Sequence, residues 1–146
     1  MGIVGLFELV GTKGAIAHWD GRALSAAKSP ATKTLLAVRG TSATDVWALG
    51  EELVHWDGTT WTVVDAPKKG LWRGLCGAGK ELWAVGGHPS RGPRSESTLM
   101  RWRDGAWKPE SPIEGEPGLS SCVVTSSGEL WVGGGDGLVA VRKRAP

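Results

Sequence analysis

Short runs of alternating apolar and polar residues follow one another along the chain, and none carries a sustained 3.6-residue apolar period. The clearest block predicts four strands: Leu35 to Arg39 (a), Asp45 to Leu49 (b), Leu53 to Trp56 (c) and Thr60 to Val64 (d). Glu51-Glu52 turns b into c. Asp57-Gly58 turns c into d, because a tight hairpin needs the positive φ that glycine adopts cheaply. Pro67 ends the block, since proline cannot donate to a continuing ladder.

The block repeats. The next copy predicts strands Leu71 to Cys76, Glu81 to Val85, Leu99 to Trp102 and Ala106 to Pro109. A third begins at Ser120 to Val124 and continues through Glu129 to Val132 and Leu138 to Val141. A partial copy comes first: Phe7 to Val10 (b), Ala15 to Trp19 (c) and Ala23 to Ala26 (d), with a short strand at Gly2 to Val4 before it. Two phrases anchor the alignment. One is Trp19-Asp20-Gly21, Trp56-Asp57-Gly58-Thr59-Thr60-Trp61 and Trp102-Arg103-Asp104-Gly105-Ala106-Trp107. The other is Trp47-Ala48-Leu49-Gly50, Trp83-Ala84-Val85-Gly86 and Trp131-Val132-Gly133. A repeat of four short antiparallel strands predicts an all-β propeller, with about four blades near residues 1–30, 31–69, 70–117 and 118–146 of one domain.

Composition agrees: 9 Trp, 23 Gly and 8 Pro against no Tyr and 1 Phe describe strands joined by tight turns. Strand b ending in Gly, and an aromatic in strand c followed five residues later by Trp, resemble kelch-like blades. The Asp-Gly-x-x-Trp turn is similar to a shortened Asp-box of sialidase-type propellers, without the Ser and the residue between Asp and Gly. The Trp-Asp pairs superficially resemble WD40 repeats, but no Gly-His precedes them. The chain also resembles Trp-rich repeats of bacterial surface proteins. The resemblance implies a propeller and no particular chemistry.

An open arc of about four blades exposes an apolar blade face at each end, which invites association. The expectation is a homodimer completing a ring of about eight blades. The rivals are a strained four-blade ring and a piece of a larger propeller.

Net charge is +2, too little to argue for nucleic acid, and Arg142-Lys143-Arg144 reads as a solvated end. The apolar run Ile3 to Val10 is too short for a membrane span and lacks the marks of a signal peptide. The expected location is therefore cytoplasmic, or extracytoplasmic for a processed chain. Cys76 and Cys122 fall in inner strands and read as buried free thiols, with a bridge between neighbouring blades as the alternative.

Motifs that suggest chemistry dissolve on inspection. Gly74-Leu75-Cys76-Gly77-Ala78-Gly79-Lys80-Glu81 has P-loop spacing, but Glu81 replaces the magnesium-binding hydroxyl and a strand follows where a helix is needed. Gly133-Gly134-Gly135-Asp136-Gly137 is similar to a calcium turn, yet it stands alone in a b–c turn. His18 and His55 precede strand-c tryptophans in a slot filled by Arg101 and Ala140 in later copies, which suggests packing between blades. Neither metal nor cofactor is expected.

Asp20, Asp57 and Asp104 read as turn residues. Trp19, Trp47, Trp56, Trp61, Trp83, Trp102, Trp107 and Trp131 read as repeated packing residues. Trp72 fits no Trp slot and is expected to be exposed. The b–c and d–a loops share one face of the blades, and on it lie the long segments Gly87 to Thr98 and Ser111 to Gly118. His88, Arg91 and Arg94, with Glu114 and Glu116, are the expected contact surface. The function expected is non-catalytic binding of a protein partner. The alternative is a lectin stacking sugars on interblade Trp, with a propeller-type glycosidase or lyase third because no paired carboxylates are evident.

Overall fold

The structure, a computed structural model, describes residues 7–88, 96–111, 113 and 118–143, the side chains of Phe7, Ala78, His88 and Glu96 excepted. The short strand expected at Gly2 to Val4 falls outside these residues.

Among the described residues four antiparallel sheets form, falling into two compact units. The unit Met1–Asp65 holds the sheet β1 (Phe7–Val10), β2 (Ile16–Trp19), β3 (Leu24–Ala26). It also holds the sheet β4 (Leu35–Ser42), β5 (Asp45–Gly50), β6 (Leu53–Trp56), β7 (Trp61–Val64). The unit Ala66–Pro146 holds β8 (Leu71–Ala78), β9 (Glu81–His88), β10 (Glu96–Arg103), β11 (Ala106–Glu110). Its second sheet is β12 (Leu119–Val124), β13 (Leu130–Gly134), β14 (Val139–Arg142). Each sheet is a meander with neighbours in chain order, as short hairpin connections require.

One repeated feature explains the glycine that ends strand b. Strand a carries a one-residue bulge near its start in three sheets, between Leu35 and Ala37, Trp72 and Gly74, and Leu119 and Ser121. The bulge presses strand a onto the end of strand b. A Cβ on Gly50 would lie 2.2 Å from the Thr34 carbonyl oxygen, and one on Gly86 2.2 Å from that of Leu71. No side chain fits at either position.

Within the first unit, Val10 and Ile16 of the first sheet pack with Val46, Ala48, Val54 and Trp61 of the second. Within the second unit, Trp83, Val85 and Leu99 pack with Leu119, Leu130 and Val132. Burying one such aliphatic side chain contributes roughly 1.5–3 kcal/mol, so each sheet-on-sheet seam dominates its unit's stability. Cys76 on β8 and Cys122 on β12 are joined by a disulfide, their Cα atoms 5.8 Å apart. The free thiols expected from burial are thus replaced by the interblade bridge. β12 packs directly on β8, and this brings the two thiols together.

The Asp-Gly phrases make two kinds of turn. At Asp104-Gly105 both residues have positive φ (54° and 78°), the two-residue hairpin that the sequence suggests. At the other two copies only Gly21 and Gly58 have positive φ (96° and 98°), and the aspartate caps the loop instead. Asp57 Oδ1 accepts from the N–H groups of Thr59 and Thr60 and from the Thr59 hydroxyl, at 2.8, 2.9 and 2.7 Å. Among the described residues no helix is long and apolar enough to cross a membrane.

Candidate binding surface

The b–c excursion of the third sheet is shorter than the sequence suggests. β9 runs to His88 and β10 starts at Glu96, so His88 belongs to a strand and residues 89–95 make the connection. The ladder extends because Ser97 and Thr98 are buried opposite Gly87 and Gly86. Ser97 Oγ donates to the Ile113 carbonyl at 3.2 Å and accepts from the Ile113 N–H at 3.1 Å. A buried hydroxyl therefore fastens the d–a segment beside the start of strand c. The anchor points of the two long segments are adjacent, as the shared-face argument requires. Arg91, Arg94, Glu114 and Glu116 lie outside the described residues, as does the side chain of His88.

Trp72 is corrected. It is 2% exposed, and its slot at the start of strand a is filled by the equally buried Leu35 and Leu119 in the sister sheets. The slot repeats as a large apolar residue, not as Trp, and the bulge behind it turns the side chain inward. Trp131 departs the other way. It occupies the same slot as Trp47 and Trp83, which are buried, yet it is 40% exposed.

The slot before the strand-c aromatic holds His18, His55, Arg101 and Val141, each directly opposite the same strand-b position. Val141 takes the place that the sequence assigns to Ala140. Each of the three basic residues has found an acid. His18 Nδ1 lies 2.7 Å from Glu8 Oε1, His55 Nε2 lies 2.7 Å from Asp45 Oδ1, and Arg101 donates to Glu81 at 2.8 Å. Sequence reasoning missed these pairs. Their signal was an acid two residues before the Trp, at Asp45 and Glu81. In the first sheet Glu8 itself stands in the Trp slot, opposite His18.

These pairs are built for packing. His55 stacks on Trp47 with ring centroids 4.1 Å apart, and the Arg101 guanidinium lies 5.0 Å from the Trp83 ring centroid. Asp45 also accepts from the Thr41 hydroxyl and from Trp47 Nε1. In this Thr–Asp–His set the acid sits in the middle, so the imidazole does not face the hydroxyl as it does in a Ser-His-Asp triad. Arg142, expected as part of a solvated tail, instead pairs with Glu110 at 3.2 Å and covers Trp83 at 5.9 Å.

Other carboxylates hold backbone. Glu52 Oε2 accepts from the N–H groups of Lys33 and Thr32, and these bonds, with the Thr32 hydroxyl and the Lys33 charge, lower its pKa. Asp20 is lowered by the N–H groups of Ala23 and Arg22. The N–H of Thr60, then the hydroxyl and N–H of Thr59, lower Asp57 from 3.8 to about 2.

The motif look-alikes resolve into turns. Gly79-Lys80 is a hairpin turn between β8 and β9, with no helix to receive phosphate. The turn at Gly135–Gly137 is repeated at Thr12–Gly14, where Lys13 (φ 53°) replaces Asp136 (φ 56°). A turn that accepts a lysine at this position needs no calcium. Among the described residues no group of three His, Cys, Asp or Glu side chains is placed to hold a metal.

No protein-family profile matches the chain, and no curated protein does. Solved structures do match. The computationally designed Ika4 protein aligns with TM-score 0.68 at 14% identity, over 96% of this chain and 86% of that one. YCF48 bound to D1 peptide aligns with TM-score 0.61 at 19% identity, over 93% of this chain and 45% of that one. The fold is a β-propeller fold of about four blades, with four sheets of three or four strands among the described residues. The chain spans less than half the length of the YCF48 chain.

Proposed function

We propose that this chain is a non-catalytic binding module of kelch-like, Asp-box-like construction. It would take a peptide or protein segment on the face shared by the b–c and d–a loops, and complete its ring with a second copy. The observation that carries the reading is the Ser97–Ile113 anchor, which holds the d–a connection at Ile113 against the start of strand c, where the b–c connection ends. The carboxylates and bases described in the sheets are spent on turns and packing, which favours binding over catalysis. One structural neighbour, YCF48, is seen with a bound peptide, and this makes peptide a sensible first ligand class.

The test is selection from a random-peptide display library, followed by calorimetry. Selected peptides should bind the wild-type chain and lose at least tenfold in affinity when residues 89–95 are replaced by Asn-Gly. Binding unchanged by that replacement overturns the loop-face assignment. A lectin is the second reading, and exposed Trp131 supports it as a stacking platform. Quenching of Trp fluorescence by a glycan, lost in Trp131→Ala, would favour the lectin over the peptide binder.

A further inference from the structure

The first and last sheets in chain order each carry one exposed face, and the faces are of opposite kind. On the first sheet it carries Leu9, Ala17, Trp19, Leu24 and Ala26, with Leu24 56% exposed. On the last sheet it carries Val123, Trp131, Val139 and Val141, with Val139 68% exposed. None of these side chains is charged, and an apolar sheet face of this kind marks an interaction site.

The chain itself shows what covers such a face. In each unit the seam has one polarity. The face bearing the strand-b Trp slot of the earlier sheet meets the alternate face of the later one. Glu8, Val10 and Ile16 lie on the Trp-slot face of the first sheet, and Val10 and Ile16 meet Val46, Ala48 and Val54. Trp83, Val85 and Leu99 lie on that face of the third sheet, and they meet Leu130 and Val132. The exposed face of the last sheet is a Trp-slot face. The exposed face of the first sheet is an alternate face, with Leu9 in the slot of Ala48 and Val132. They are the two halves of one seam.

We propose that the Trp131 face of one copy seats on the Leu9 face of a second copy, head to tail, so that two chains form one ring with two such seams. This rests on the ring-completing assembly proposed above and names its surfaces. The register is set by the internal seam. Arg142, one residue beyond the slot of Val141, lies over Trp83 at 5.9 Å. The residue equivalent to Arg142 in the first sheet is Trp19, and the residue equivalent to Trp83 is Trp131. Trp131 therefore stacks against the partner's Trp19. Leu24 takes the place of Trp61, which is buried in the first unit's seam. The contact is heterologous, and two copies close it into a ring.

Light scattering on the purified chain and two variants tests this. The wild type should have twice the monomer mass at micromolar concentration. Trp131→Asp and Leu24→Asp should each be monomeric with unchanged far-UV circular dichroism, since both side chains are already exposed. Mixing the two variants should restore a 1:1 dimer, because one intact Trp131 face then meets one intact Leu9 face. A like-on-like dimer gives no such rescue. A monomeric wild type overturns the assembly reading, and with it this proposal. A wild-type dimer that survives both substitutions, or variants that do not rescue each other, overturns the seam assignment alone.

Discussion

In the first unit, the seam between sheets is closed by Val10 and Ile16 against Val46, Ala48 and Val54, with a Glu8–His18 pair beside them. In the second unit, Val85 and Leu99 meet Leu130 and Val132. There Arg101 and Arg142 flank Trp83, and a disulfide crosses the seam. The apolar slots are equivalent; the reinforcement differs. β1, a strand b, lies against β4, strand a of the next sheet, as β9 lies against β12 in the second unit. In the second unit strand a of one sheet also lies on strand a of the other, β12 on β8, and each carries a cysteine.

The sharpest way to break this contrast is to remove the bridge. Cys76→Ser with Cys122→Ser frees a 46-residue separation, which costs about 4 kcal/mol in the chain-entropy picture. Native-state hydrogen exchange should show the loss at β9 and β13 amides. An equal loss at β5 amides would show that the units do not divide stability as the seams suggest. Reduction by dithiothreitol should reproduce the result.

The converse test acts on the unstapled seam. Ile16 is almost fully buried between the first two sheets, and Ile16→Ala should cost about 3 kcal/mol through lost transfer energy and a cavity. The exchange signature should now lie at β2 and β5. A cost below 1 kcal/mol, read from denaturant midpoints at unchanged slope, would mean that Ile16 does not hold the seam.

Strands b, c and d of these blades were legible because alternation and the Asp-Gly turns are local signals. Strand a was less so. The bulge at Leu36, Arg73 and Ser120 resets alternation, and Trp72 was sent to the surface because its slot repeats as a large apolar residue and not as Trp. The glycine ending strand b was visible as a pattern, but its cause is a carbonyl on another strand 2.2 Å from the absent Cβ. Cys76 and Cys122 read first as buried free thiols and second as an interblade bridge, because only the packing of β12 on β8 decides between the two. Of the expected contact surface, the structure describes the backbone of His88 at the end of β9. The charged residues proposed to touch a ligand lie outside the described residues.

A smaller effect separates two copies of one phrase. Gly58 and Gly105 both have positive φ, but a Cβ on Gly58 would meet Thr44 Cγ2 at 2.8 Å, while one on Gly105 meets nothing within 4 Å. Gly58→Ala should cost about 1–2 kcal/mol more than the strain the two replacements share. Thermal melts of the two variants compare them directly. Equal costs would mean that Thr44 moves aside.

The smallest effect belongs to the same pair of turns and appears only in acid. Asp57 has its pKa lowered from 3.8 to about 2 by bonds from Thr60 and Thr59 that favour the carboxylate. A group with a depressed folded pKa stabilises the fold above its unfolded value and loses that contribution as pH falls through the folded one. The turn should therefore be indifferent to pH above about 4 and weaken between about 4 and 2. Asp57→Asn keeps the acceptor oxygen but cannot titrate. Its melting temperature relative to wild type should be constant from pH 7 to 5 and rise below 4, by a modest amount because the carboxylate is fully exposed. A carboxyl chemical shift that titrates near 3.8 would show that the turn bonds do not hold the charge. The first- and second-sheet turns would then owe their shape to Gly21 and Gly58 alone, as the third owes its shape to Asp104 and Gly105.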